Sequence, residues 1–147
     1  MKQAFNIVSL NISAKKGEKK TPVDAIELIA EYGIQGDAHA EAGAVRQVSL
    51  LAEEDIETMR GRGIDIHFGD FAENITTRGV ALSQLPIGTR LSLGGALLEV
   101  SQIGKECHGG CAIREAVGDC VMPRRGVFAR VLTGGTVNRA SVCAYEI

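Results

Sequence analysis

Four cysteines occur in the chain, and three of them fall in one short stretch, GKECHGGCAIREAVGDC. Cys107, Cys111 and Cys120 lie there together with His108. Three chemistries suit these side chains. Thiolates and an imidazole are donors for tetrahedral zinc, although the adjacent Cys-His and the lack of a CxxC pair fit zinc spacing poorly. Cys107 and Cys111, spaced Cys-x-x-x-Cys, form a distant relative of the CxxC redox pair, in which one thiol resolves an intermediate on the other. Alternatively Cys107 works alone. Lys105 and His108 stand beside it, and a neighbouring cation lowers a thiol pKa and enlarges the thiolate fraction. Cys120 and Cys143 have apolar neighbours and read as small buried hydrophobes.

The charge around Cys107 points to an anionic ligand. From Lys105 to Arg130 there are five basic and three acidic residues, so this stretch is net positive in a chain of formal charge -2. Arginine forks match phosphate oxygens in pairs, which makes Arg124 and Arg125 candidate anion holders alongside Lys105. Arg46 interrupts an apolar run and faces either a ligand cleft or solvent. Asp37 and His39 form a Gly-Asp-x-His segment in which the histidine is a ligand contact or a hydrogen-bonded structural residue. Glu73 and Asn74 either bond a ligand or pin a turn. The run Lys15-Lys16-Gly17-Glu18-Lys19-Lys20 reads as a solvated loop, or as an anion-docking arm.

These residues need a frame. Gln3–Ser13 alternates as a strand, with Phe5, Ile7 and Ser9 on one face and Val8, Leu10 and Ile12 on the other. Val23–Tyr32 leans to strand, and Gly33–Asp37 is a turn-rich break. Val45–Leu51 reads as a buried strand. Glu53–Arg60 is the clearest helix, with acidic residues in its first turn and glycines at its stop. A strand lies within Phe68–Val80, and Pro86-Ile87-Gly88 is a turn. Thr89–Leu93 and Ala96–Ile103 form a hairpin joined at Gly94-Gly95. A loop with a possible helix covers Cys107–Cys120. Val127–Thr133 is a strand, Gly134-Gly135 a turn and Val142–Ile147 a last strand. So many short strands with few helices imply a mostly β domain, closed into a barrel or strongly bent.

Composition agrees and excludes other classes. With 147 residues, 45% apolar and 23% charged, the chain suits one domain, 1–147, with a real core. Its small net charge and apolar content argue against disorder. Eighteen glycines speak for turns and close backbone approaches and against a helical bundle. A pI near 5.9 argues against non-specific nucleic-acid binding, and no apolar run is long enough to span a bilayer. The N-terminus lacks a signal-like core, so a cytoplasmic location with reduced cysteines is expected.

In sequence the chain resembles the MOSC domain, named for the C-terminal domain of molybdenum cofactor sulfurase. Gly36-Asp37-Ala38-His39, Arg46-Gln47-Val48-Ser49-Leu50-Leu51 and Gly69-Asp70-Phe71-Ala72-Glu73-Asn74-Ile75-Thr76 carry the likeness. Leu85–Leu91, Leu98-Glu99-Val100 and Gly104-Lys105-Glu106-Cys107 continue it in the family's order. Ala40–Gly43 and Val137–Ser141 depart from the usual pattern. The resemblance implies a MOSC-type β-barrel with a few short helices and a role around molybdenum cofactor (molybdopterin). Cys107 matches the family's sulfur carrier or molybdenum ligand. Arg46, Lys105, Arg124 and Arg125 are then candidates for the pterin phosphate, with Asn74 and His39 as further cofactor contacts. If catalytic, such a domain would reduce N-hydroxylated compounds or transfer sulfur. Otherwise it would be a non-catalytic carrier serving molybdenum cofactor biosynthesis proteins or molybdoenzymes. The third alternative is a structural zinc domain built on Cys107, His108, Cys111 and Cys120.

Overall fold

A computed structural model of the chain describes residues 2–15, 19–61, 63, 65–104 and 125–147. In chain order its strands are β1 (Gln3–Ile12), β2 (Thr21–Val23), β3 (Ala25–Ile29), β4 (Gly33–Ile34) and β5 (Val48–Ala52). They continue with β6 (Ile75–Arg78), β7 (Arg90–Leu93), β8 (Ala96–Ile103), β9 (Val127–Thr133), β10 (Gly135–Asn138) and β11 (Cys143–Glu146). The described residues hold one α-helix, α1 (Glu53–Arg60), and a 3-10 turn at Leu82–Gln84.

Seven strands close on themselves in the order β11-β7-β8-β9-β5-β6-β1, and the β1–β11 pairing completes the ring. Closure leaves no free edge in the barrel, which disposes of the unpaired backbone groups an open sheet would show. β2 extends β1 outside the ring, and β10, β3 and β4 form a small second sheet. All pairings are antiparallel except β5–β6. That parallel pair needs a long crossover, which α1 and the loop up to Asn74 provide.

The barrel is filled by Leu50, Ile75, Leu91, Leu93, Leu98, Val100, Val127 and Val131, none of them measurably exposed. Every residue of β5 is buried, because the strand is covered on both sides. Val48, Leu50 and Ala52 face the barrel, while Leu51 joins Ile56 and Met59 of α1 with Phe71 and Phe128 in a second cluster. The helix occupies the span read from sequence, with Glu53, Glu54 and Asp55 in its first turn.

Three sequence expectations need correction. β1 does not keep one alternation: its register on β6 shifts between Ile7 and Ser9, so Leu10 joins Phe5 and Ile7 in the core. A bulge inserts one residue and flips the parity of everything after it. Ser9 and Asn11 are thereby buried on the outer face. Gly33-Ile34, read as part of a break, pairs with Leu28 and Ile29 of β3. Gly135, read as turn, opens β10 and pairs with Leu28. By contrast β3 is a strand as read, and it alternates with Ile26 and Leu28 inward. The β7–β8 hairpin turns at Gly94-Gly95 between the paired residues Leu93 and Ala96.

Candidate functional site

The Gly-Asp-x-His segment is fastened to the end of β1 through a lysine. Lys20 is buried, which corrects the reading of the whole Lys15–Lys20 run as a solvated loop. Its Nζ donates to Asp37 Oδ1 at 2.8 Å, and both side chains have no exposed surface. The same ammonium reaches His39 Nδ1 at 2.8 Å and Ser13 Oγ at 3.2 Å. Asp37 also accepts the backbone N–H of Ser13 at 3.1 Å through Oδ1 and that of His39 at 3.1 Å through Oδ2. The second bond is an Asx turn, which explains an aspartate two residues before the histidine. Burial would raise the Asp37 carboxyl; Lys20 and the two backbone N–H groups outweigh it and hold the group below its ordinary value. The His39 ring, 37% exposed, stands at the outer end of this cluster.

Lys20 is placed by backbone contact. Its N–H donates to the Gly69 carbonyl at 2.9 Å. Gly69 has φ +92°, and a Cβ there would lie 2.1 Å from the Lys20 oxygen. Only glycine fits both demands. Nothing in the lysine run distinguishes Lys20 from its neighbours, so this part of the site is invisible in the sequence.

Arg46 and the loop after His39 meet across Gly33. A Cβ on Gly33 would lie 2.7 Å from the Gln47 oxygen and 3.2 Å from the Ala40 Cα. The residues that follow Arg46 and His39 thus press on the same glycine. Arg46 is exposed, and its guanidinium lies 5.7 Å from the centre of the Phe128 ring, a cation–π contact. Ser101 of β8 ties this corner together, bonding the Val45 and Phe128 carbonyls. Phe128 pairs with Gln102, and Gly104 N–H donates to the Gly126 carbonyl at 2.6 Å. Arg46 therefore packs on the second residue of β9, the strand that the chain enters from Gly126 after leaving β8.

The remaining candidates are dispersed. Cys107, Lys105, Arg124, His108, Cys111 and Cys120 lie outside the described residues. Arg125 donates to Ser83 Oγ at 3.2 Å and faces Asp55 at 3.9 Å. It lines a cavity of about 260 Å³ with Ala52, Asp55 and Ser83, past the end of β5 opposite to Arg46. Burial raises the Asp55 carboxyl there against the pull of Arg125. Asn74 is fully buried: its oxygen accepts the Ser49 N–H at 3.0 Å and its amide donates to the Asn11 carbonyl at 3.1 Å. It pins the loop 69–74 to β1 and β5. Glu73 is equally buried, which raises its carboxyl despite N–H bonds from Gly69 and Phe71. Cys143 is a core residue, its thiol pushed by burial up to about 11. Among the described residues no group of three His, Cys, Asp or Glu side chains could hold a metal ion. No helix among them is long and apolar enough to cross a membrane.

The sequence model of the MOSC domain matches residues 37–141. The chain belongs to the MOSC domain family. Solved structures with the same fold include the YuaD protein from Bacillus subtilis, with TM-score 0.82 and 19% identity, covering 100% of this chain and 98% of that one. YiiM from Geobacillus stearothermophilus aligns with TM-score 0.71 and 20% identity over 97% of this chain and 75% of its own. YiiM from Escherichia coli aligns with TM-score 0.70 and 19% identity over 99% and 70%. No curated protein matches the sequence. The MOSC match begins at Asp37, so it takes in His39, Arg46, Asn74 and the segment with Cys107. Lys20 and Ser13, which hold Asp37 and His39, precede it.

Proposed function

We propose that this MOSC domain binds molybdenum cofactor, or carries sulfur for it, through Cys107 as a thiolate ligand or persulfide. The family match across 37–141 carries the reading, because it associates the chain with this cofactor and spans the candidate residues. The chemistry of the donor set is compatible. An anionic pterin phosphate and a soft metal–sulfur centre call for cations, N–H donors and a thiolate. Arg46 supplies an exposed guanidinium over Phe128 of β9, and His39 supplies a half-buried imidazole in the loop that meets the Arg46 loop at Gly33.

In this reading Arg46, Lys105 and Arg124 hold the phosphate. Arg125 directly precedes Gly126, where Ser83 and Asp55 orient it as a second anion contact. Asn74 acts through the backbone, keeping β5 and the 69–74 loop in place. When bound, the cofactor supplies a redox-active metal with exchangeable sulfur and oxygen ligands. Cys107 would hold that metal or present a sulfane sulfur. The partners are then molybdenum cofactor biosynthesis proteins or molybdoenzymes in the cytoplasm. Molybdenum and pterin content after expression in cells that make the cofactor tests the reading. The wild type should retain both and Cys107→Ser should lose the metal; equal content in the two would remove Cys107 from the role.

A further inference from the structure

We infer that Lys20, which lies outside the segment matched to the MOSC domain, is a positioning residue that fixes the tautomer of His39, making the ring a hydrogen-bond donor at Nε2. This step rests on the proposed cofactor role only for the identity of the acceptor. The tautomer itself follows from counting protons. An ammonium has three N–H donors and no acceptor. Lys20 Nζ has three neighbours within bonding distance: Asp37 Oδ1 and His39 Nδ1, each at 2.8 Å, and Ser13 Oγ at 3.2 Å. Every proton of the ammonium is therefore used, and one of them points at Nδ1.

His39 Nδ1 must then accept. A proton on Nδ1 would meet an ammonium proton across 2.8 Å, so both the Nδ1–H tautomer and the imidazolium conflict with this geometry. The neutral ring carries its proton on Nε2. Lys20 cannot swing away to relieve the contact. Its side chain is fully buried and paired to an equally buried Asp37, and its backbone is bonded to Gly69. His39 is held as well, since its own N–H is bonded to Asp37 Oδ2. The outer nitrogen is thus a donor suited to an acceptor such as an anionic oxygen or a metal-bound sulfur, and unsuited to binding a metal through its lone pair.

A lysine between β1 and β2 thus sets the protonation of a residue between β4 and β5.

Long-range proton–nitrogen correlation spectra of the full, cofactor-free chain at neutral pH decide the matter. His39 should show a pyrrole-type Nε2 and a pyridine-type Nδ1. Lys20→Met should abolish that pattern, giving mixed tautomers or an imidazolium, and Lys20→Arg should restore a donor to Nδ1 and with it the Nε2–H form. An Nδ1–H ring or an imidazolium in the wild type would overturn the inference, and that spectrum decides even if Lys20→Met fails to fold. An unchanged His39 pattern in a folded Lys20→Met would equally overturn it. None of these readouts involves the cofactor, so failure of the cofactor role would leave them standing, and their failure would leave that role intact.

Discussion

Replacing Lys20 by methionine should be one of the most damaging single changes in this small barrel. Methionine keeps the length and the apolar stem but removes the ammonium. The Asp37 carboxylate, with no exposed surface, loses its counter-ion and keeps only the Ser13 and His39 backbone N–H bonds. Breaking a buried pair by removing one partner costs about 3–5 kcal/mol, most of it from the charge left behind. A domain of this kind has about 5–15 kcal/mol in total, so a fifth or more of its stability is at stake. With an unfolding entropy of about 2.1 cal/mol/K per residue, the melting temperature should fall by roughly 10–15 °C. Urea unfolding followed by circular dichroism reads the loss directly, at an unchanged slope. The double variant Lys20→Met/Asp37→Asn removes both charges and should recover about half of the loss or more. A single-variant cost below about 1 kcal/mol, or a double variant that simply adds the two losses, would refute the buried pair.

Further outcomes concern pH, one backbone approach and one thiol. Asp37 is lowered from its ordinary 3.8, so its contribution is complete above that value and is lost as pH falls through the lower native one. Wild-type stability should therefore drop in that acid range, and Asp37→Asn should flatten the drop in urea midpoint against pH. Gly69→Ala places a methyl 2.1 Å from the Lys20 oxygen at φ +92° and should cost about 3 kcal/mol or more. Gly88→Ala, at φ +96° with open space around it, should cost only about 1–2 kcal/mol; equal melting shifts would remove the steric account. Cys143, buried and with its thiol pushed up to about 11, should resist iodoacetamide in the folded protein. Rapid modification mapped to Cys143 by mass spectrometry would contradict its core placement.

The parts of the fold legible in sequence are those fixed by local pattern. α1 announces itself through Glu53, Glu54 and Asp55 and ends at Gly61, and the β7–β8 hairpin through paired glycines between apolar alternations. β1 was legible as a strand but not in its facing, because a bulge after Ile7 depends on β6, a partner far along the chain. Asp37 and His39 were visible as chemically loaded residues. Their holder was not: Lys20 belongs to a run that looks like any exposed basic loop, and its burial depends on contact with Gly69, far along the chain. Asn74 looked equally suited to ligand or turn, and burial between Ser49 and Asn11 makes it a peg. Arg46 and Arg125 look alike in composition; β5 sets them at different ends, one on Phe128 and one on Asp55. The Cys107 segment was legible through residue type alone.

The central claim is that Cys107 serves molybdenum cofactor. Its most direct measurement is molybdenum and pterin per chain in wild type, Cys107→Ser and Cys143→Ser, all purified from the same cofactor-producing cells. Metal and pterin are expected in the wild type, with both retained in Cys143→Ser and molybdenum lost in Cys107→Ser. Equal molybdenum in all three, or zinc in place of molybdenum in the wild type, would contradict it.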